Sequence, residues 1–137
     1  MTDIWQNMSI SAAGMRAQGE RTRVIVENLA NADTTALTKG GKPYQRQIIS
    51  FKNEMDRQQG LRLVKVDKVK PDMVSPFDQK YMPDHPAADD AGYVKMPNVN
   101  TFMEMMDMRE AQRSYEANLG MIEQSRDMMQ KTINLLQ

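Results

Sequence analysis

The chain has 137 residues, enough for one domain and few for two, with 18 basic and 18 acidic side chains and no net charge. No long basic run supports nucleic-acid binding, and no apolar stretch near 18 residues supports membrane insertion. The absence of cysteine removes disulfide frameworks, thiolate zinc sites and thiol catalysis. Leu, Ile, Val and Phe fill only 25 positions while methionine fills 14. That inventory suits repacking against partners better than a rigid private core. All six prolines lie between Pro43 and Pro97, so the chain reads as a helix, an irregular or β middle, and a second helix.

The first helix is expected over about residues 3–30. One heptad-like line runs Met8, Met15, Thr22, Leu29, and its partner runs Ile4, Ser11, Gln18, Ile25. Ala12, Ala13, Gly14, Ala17 and Gly19 thin the nearby surface, so that a second helix can approach closely. Arg16, Glu20, Arg23 and Glu27 form an alternating charged ladder in steps of four, three and four, a face suited to i,i+4 pairing. Asn31, Asp33, Thr34 and Thr35 end the helix. Asp3, Gln6, Asn7, Ser9 and Ser11 interrupt the apolar run that a cleavable secretory signal requires, so export, if it occurs, is expected to read another feature.

The middle is expected to hold short strands and turns, with β-formers at residues 44–51 and 61–69 and a loop-like stretch at 71–97. Its densest chemical cluster is Asp84-His85-Pro86 with Asp89 and Asp90. These groups could ligate a divalent metal, but Asp and Pro serve turn geometry equally well, and the turn is the preferred reading. A single histidine in a proline-rich loop offers no nucleophile–base–orienter arrangement, and no Gly-rich phosphate loop follows a strand. No catalytic residue, metal site or cofactor is expected.

The last helix is expected over about residues 99–136, with Asn98 or Asn100 as its N-cap. Met108, Tyr115, Ile122, Met129 and Leu136 recur every seven residues. Met105, Gln112, Leu119, Arg126 and Ile133 form a second line, flanked by the small or polar Ala111, Asn118, Ser125 and Thr132. Such a helix is about 55–60 Å long, whereas a compact globule of this size is roughly 36 Å across. The terminal helices therefore pair at best with each other, and other chains must cover what remains. The expected fold is α+β: long N- and C-terminal helices pairing as an antiparallel coiled-coil-like hairpin, with a small β-rich middle domain. The segments are residues 1–35, 36–97 and 98–137. The candidate assembly interface is Ile4, Met8, Met15, Ile25, Leu29, Met105, Met108, Tyr115, Asn118, Leu119, Ile122, Met129, Ile133 and Leu136. Met103, Met105, Met106 and Met108 span too much circumference to face one partner. Gln18, Asn28 and Asn118 are polar members of the stripes, either incidental or fixing register.

Ile10-Ser-Ala-Ala-Gly-Met-Arg-Ala-Gln18 and Val26-Glu-Asn-Leu-Ala-Asn-Ala-Asp33 resemble the N-terminal motif of bacterial flagellar rod, hook and filament-junction proteins. Residues 40–47, 85–89 and 92–99, and at the C-terminal end 104–108 with 114–118, resemble the proximal-rod branch of that axial family. The middle motifs select the branch, while Asn28-Leu-Ala-Asn31 and Tyr115-Glu-Ala-Asn118 are shared across axial proteins, and the likeness covers essentially the whole chain. The resemblance implies a structural, non-enzymatic subunit of the flagellar basal-body rod, the periplasm-crossing shaft that transmits motor torque. It implies export through the flagellar type III apparatus without signal cleavage. It also implies partners: copies of itself, rod proteins of the FlgB and FlgF types, and the rod–MS-ring junction protein of the FliE type. Against this stand a helical-hairpin binding module or closed homodimer using the same stripes once, and a metal enzyme built on residues 84–90. Gly19-Glu20 departs from good helix formers and implies a local bend or a close neighbour.

Overall fold

Twenty-nine proline-free residues wind into α1, Thr2–Ala30, and thirty-four into α2, Thr101–Asn134. At 1.5 Å per residue these helices are about 44 and 51 Å long. Between them lie β1 (Gln47–Asp56), β2 (Leu61–Pro71), β3 (Gln79–Tyr81) and β4 (Tyr93–Lys95), forming two two-stranded sheets, β1–β2 and β3–β4. The fold is α+β with a helix at each end. The computed structural model describes residues 2–58 and 60–135, and among them no helix is long and apolar enough to cross a membrane.

Both helix boundaries follow from side-chain chemistry. α1 stops where the Asn31 amide nitrogen Nδ2 donates to the Glu27 carbonyl at 2.9 Å and Asn31 Oδ1 accepts from Thr34 Oγ1 at 3.2 Å. A last-turn carbonyl is thereby satisfied by a side chain. α2 begins where Asn100 Oδ1 accepts from the Phe102 and Met103 amides at 3.1 and 3.2 Å, an N-cap that takes two orphan donors. Of the two expected cap candidates, Asn100 serves; Asn98 is buried and engaged elsewhere.

The described chain separates into two compact units, and each helix runs through both. The first comprises residues 1–22, 49–68 and 108–137. Here β1 and β2 run antiparallel: Lys65 Nζ donates to Glu54 Oε1 at 2.9 Å, while Lys52 Nζ lies 3.8 Å from Asp67 Oδ1. Gly60, at φ +67°, closes the turn, its amide donating to the Asp56 carbonyl at 2.8 Å. Ala13 and Ala17 of α1 are buried beside Leu63 of β2 and line one cleft with Leu63–Val66. The thin face of α1 at these alanines thus receives the β1–β2 hairpin. The helix contact falls at Gly14, where a Cβ would sit 2.9 Å from Asn118 Nδ2. An ion pair at 3.2 Å joins Arg21 to Glu110. Rising number on α1 meets falling number on α2, so the helices are antiparallel.

The second unit comprises residues 23–48 and 69–107. Val24, Ile25, Pro43, Val94 and Pro97 supply its buried apolar groups. The strand expected at 44–51 begins only at Gln47, because the preceding backbone is committed elsewhere. Tyr44 N donates to the Thr34 carbonyl at 3.0 Å, and Asp72 N to the Arg46 carbonyl at 2.8 Å. The stretch expected as loop at 71–97 contains the antiparallel pair β3–β4, in register Gln79↔Lys95, Lys80↔Val94, Tyr81↔Tyr93. Three paired residues are too short for alternation to show in the sequence. The Tyr81 and Tyr93 rings meet edge to face at 5.3 Å, next to Gly92 at φ +83°.

Candidate functional site

The most heavily constrained side chains lie in the second unit and are polar. Asn28 of α1 and Glu104 of α2 are each only 1 % exposed. Asn28 Nδ2 donates to the Gln47 carbonyl at 2.9 Å and to Glu104 Oε2 at 3.3 Å; its Oδ1 accepts from Gln47 N at 2.8 Å and Tyr44 Oη at 2.9 Å. Arg46 Nε donates to Glu104 Oε1 at 2.5 Å, and its other nitrogens lie 4.0 Å from Asp72 Oδ2 and 3.9 Å from Asp107 Oδ2. Asn98 completes the knot. Its Oδ1 accepts from Arg46 N at 2.8 Å, and its Nδ2 donates to the Asp72 and Ser75 carbonyls. A buried carboxylate is tolerable only when paired and hydrogen-bonded, and Glu104 is both.

Two groups in the knot have shifted acidities. The Ser75 hydroxyl, then the Val74 and Ser75 amides, hold the Asp72 carboxyl below the usual aspartate range, with a smaller contribution from Arg46. Burial, then the Glu27 and Glu104 carboxylates, pushes the Tyr44 phenol up. Both shifts preserve the charge states that the hydrogen bonds need.

The Asp84–Asp90 loop is built as turns. The Ala87 amide donates to His85 Nδ1 at 3.1 Å, so that nitrogen is the acceptor and Nε2 carries the proton toward Thr35 Oγ1, 3.2 Å away. Asp89 Oδ1 accepts from the Ala91 and Tyr93 amides, and Asp90 pairs with Lys39. Among the described residues no three His, Cys, Asp or Glu side chains gather to hold a metal ion.

The stripe residues are distributed unevenly. Ile25 is buried within its own unit. Ile4, Met8, Met15, Leu29, Met108, Asn118, Ile122 and Met129 are half-buried, while Met105, Tyr115, Leu119 and Ile133 are exposed. Leu136 lies outside the described residues. On α2 the inward line is instead Glu104, Ala111, Ser125 and, half-buried, Asn118: the small and polar flank rather than the apolar lines. Small residues let two helix backbones approach, and this leaves the larger apolar side chains facing outward. Heptad spacing alone also misses Trp5, Ile10, Val26, Phe102, Met121 and Met128, all exposed. The signal available for Phe102 was its place in the first turn beside Met103 and Met106, off both heptad lines. Nothing local to Arg46, Asp72 or Asn98 marked them as members of one knot.

A family model described as flagellar basal body rod FlgEFG protein C-terminal matches residues 90–135, the stretch that holds Asn98, Glu104 and Asp107 of the knot. Over 127 residues, covering 93 % of this chain and 91 % of the relative, the sequence is 48 % identical to the flagellar basal-body rod protein FlgC of Agrobacterium fabrum. The chain belongs to the FlgC family of flagellar basal-body rod proteins. Similarity extends to FlgC of Borreliella burgdorferi, 34 % identical over 98 % of each chain, and to FlgC of Salmonella typhimurium, 38 % identical over 92 % of each. In this FlgC-family chain four of the segments that carried the axial-protein resemblance meet in the knot: Asn28 from residues 26–33, Arg46 from 40–47, Asn98 from 92–99 and Glu104 from 104–108.

Proposed function

We propose that the chain is a structural subunit of the proximal rod of the bacterial flagellar basal body, joining the periplasm-crossing drive shaft through its terminal helices and transmitting torque without catalysis. The near-full-length identity to a FlgC protein carries this reading. The outward-facing apolar side chains of both helices support it, because exposed apolar faces of this kind mark surfaces that a partner covers. In this reading residues 1–35 and 98–137 form the rod-core helices and 36–97 the middle domain. Met105, Tyr115, Leu119 and Ile133 make direct contacts, the half-buried stripe residues form the edges, and Ile25 holds α1 within its own chain. The neighbours are copies of this chain and rod proteins of the FlgB and FlgF types, with a FliE-type junction protein at the base. Delivery is through the flagellar type III export apparatus without a cleaved signal.

The test is a Leu119→Asp, Ile133→Asp variant in a flagellated host lacking its own copy. Both positions are exposed, so the monomer keeps its far-UV circular dichroism, while the variant is missing from isolated basal bodies and the cells do not swim. Wild-type incorporation and swimming would overturn the reading.

A further inference from the structure

With 14 methionines and no cysteine, thioethers are the only sulfur this chain offers to an oxidant. The fold sorts them. Met103, Met105 and Met106 are 53, 57 and 55 % exposed and stand together in the first two turns of α2 beside Phe102, itself 69 % exposed. The Asn100 cap on the Phe102 and Met103 amides holds those turns helical and keeps the three thioethers displayed. Met55, Met73, Met121 and Met128 are exposed without such a cluster, and the remaining described methionines are half-buried.

We propose that Met103, Met105 and Met106 form an oxidation site that decides whether a free subunit can be incorporated. The oxidant is hydrogen peroxide. The sulfur lone pair attacks one peroxide oxygen, the O–O bond breaks as an S–O bond forms, and the other oxygen leaves as water after taking the proton. Methionine is oxidised by two electrons to its sulfoxide, and peroxide is reduced. Each sulfoxide puts a strong hydrogen-bond acceptor on an apolar face, and covering that face then leaves the acceptor unpaired. The proposal rests on the reading that neighbouring subunits bury these turns of α2 in the rod. A subunit already in place is shielded, and one oxidised before assembly is refused until a sulfoxide reductase, drawing on a dithiol, restores the thioether.

Two measurements test it. Peptide mass spectrometry on the purified chain, treated with dilute peroxide and quenched with catalase, should find sulfoxide at residues 103, 105 and 106 about fivefold sooner than at half-buried Met8, Met15 or Met129, in line with exposure. In a host lacking its own copy, a peroxide pulse before assembly should lower wild-type content in isolated basal bodies about tenfold, the effect of burying one unpaired acceptor. A Met103→Leu, Met105→Leu, Met106→Leu variant should be several-fold less affected, Met121 and Met128 being the exposed thioethers left on α2. The matching triple change to Gln should be depleted without peroxide while keeping the wild-type urea midpoint. Equal oxidation of half-buried methionines, or equal peroxide sensitivity of the Leu variant, overturns the proposal, and so does normal incorporation of a folded Gln variant. If untreated wild-type protein itself never enters basal bodies, the rod reading has failed instead.

Discussion

Arg46 meets Glu104, Asp72 and Asp107 at once, and its backbone amide is also held by Asn98. Arg46→Ala removes the cation and leaves Glu104 buried and unpaired, which should cost about 3–5 kcal/mol in urea unfolding. Replacing the pair together, as Arg46→Met with Glu104→Leu, should recover part of that loss, because the buried Glu104 charge goes with its cation while Asp72 keeps its hydrogen bonds from Val74 and Ser75. Asp72 provides a separate, pH-dependent handle. Its folded pKa lies below the ordinary aspartate value of about 3.9, with the Ser75 hydroxyl as the first cause. Its stabilisation is therefore complete above about pH 4 and is lost as pH falls through the lower folded value. Unfolding measured between about pH 5 and 2 should show a steeper loss in the wild type than in Asp72→Asn, the carboxylate being the group that titrates there.

The helices are elements whose ends are fixed by caps and whose interiors tolerate weak formers. α1 runs unbroken through Gly19, and a Cβ at Gly19 or Gly120 would meet nothing within 4 Å. Neither glycine is required by the chain's own packing, whereas Gly14 is crowded by Asn118. Gly19→Ala and Gly120→Ala should each stabilise the isolated chain by about 0.5–1 kcal/mol, visible as a raised urea midpoint. Gly14→Ala should not. The elements were largely legible in advance, because a 29- or 34-residue helix bounded by Asn and Pro announces itself over many turns. β3–β4 was not, because each strand owes its existence to its partner rather than to its own three residues. The orientation of the helix faces was also hidden: apolar spacing pointed to the methionine lines, while contact favoured Gly14, Ala111 and Ser125, small enough to let backbones close.

For the whole molecule, packing is concentrated unevenly along α2. Beyond Ala111, Ser125 is the one buried residue among those described. Few buried contacts mean a low local opening energy, so in the isolated chain amides after about residue 120 should exchange with deuterium within minutes, and assembly should slow them at least tenfold. Protection already complete in the monomer would contradict this. The sequence by itself determined the helix–middle–helix order, the zero net charge, the lack of thiol chemistry and the presence of more helix than one small chain can cover. These are properties of composition and of period over long segments. Only the tertiary structure decided that Asn28, Arg46, Asp72, Asn98 and Glu104 share one hydrogen-bonded knot, and which methionines face water. Residues up to 76 positions apart make those contacts, and burial is a property of what packs against a side chain rather than of the side chain itself.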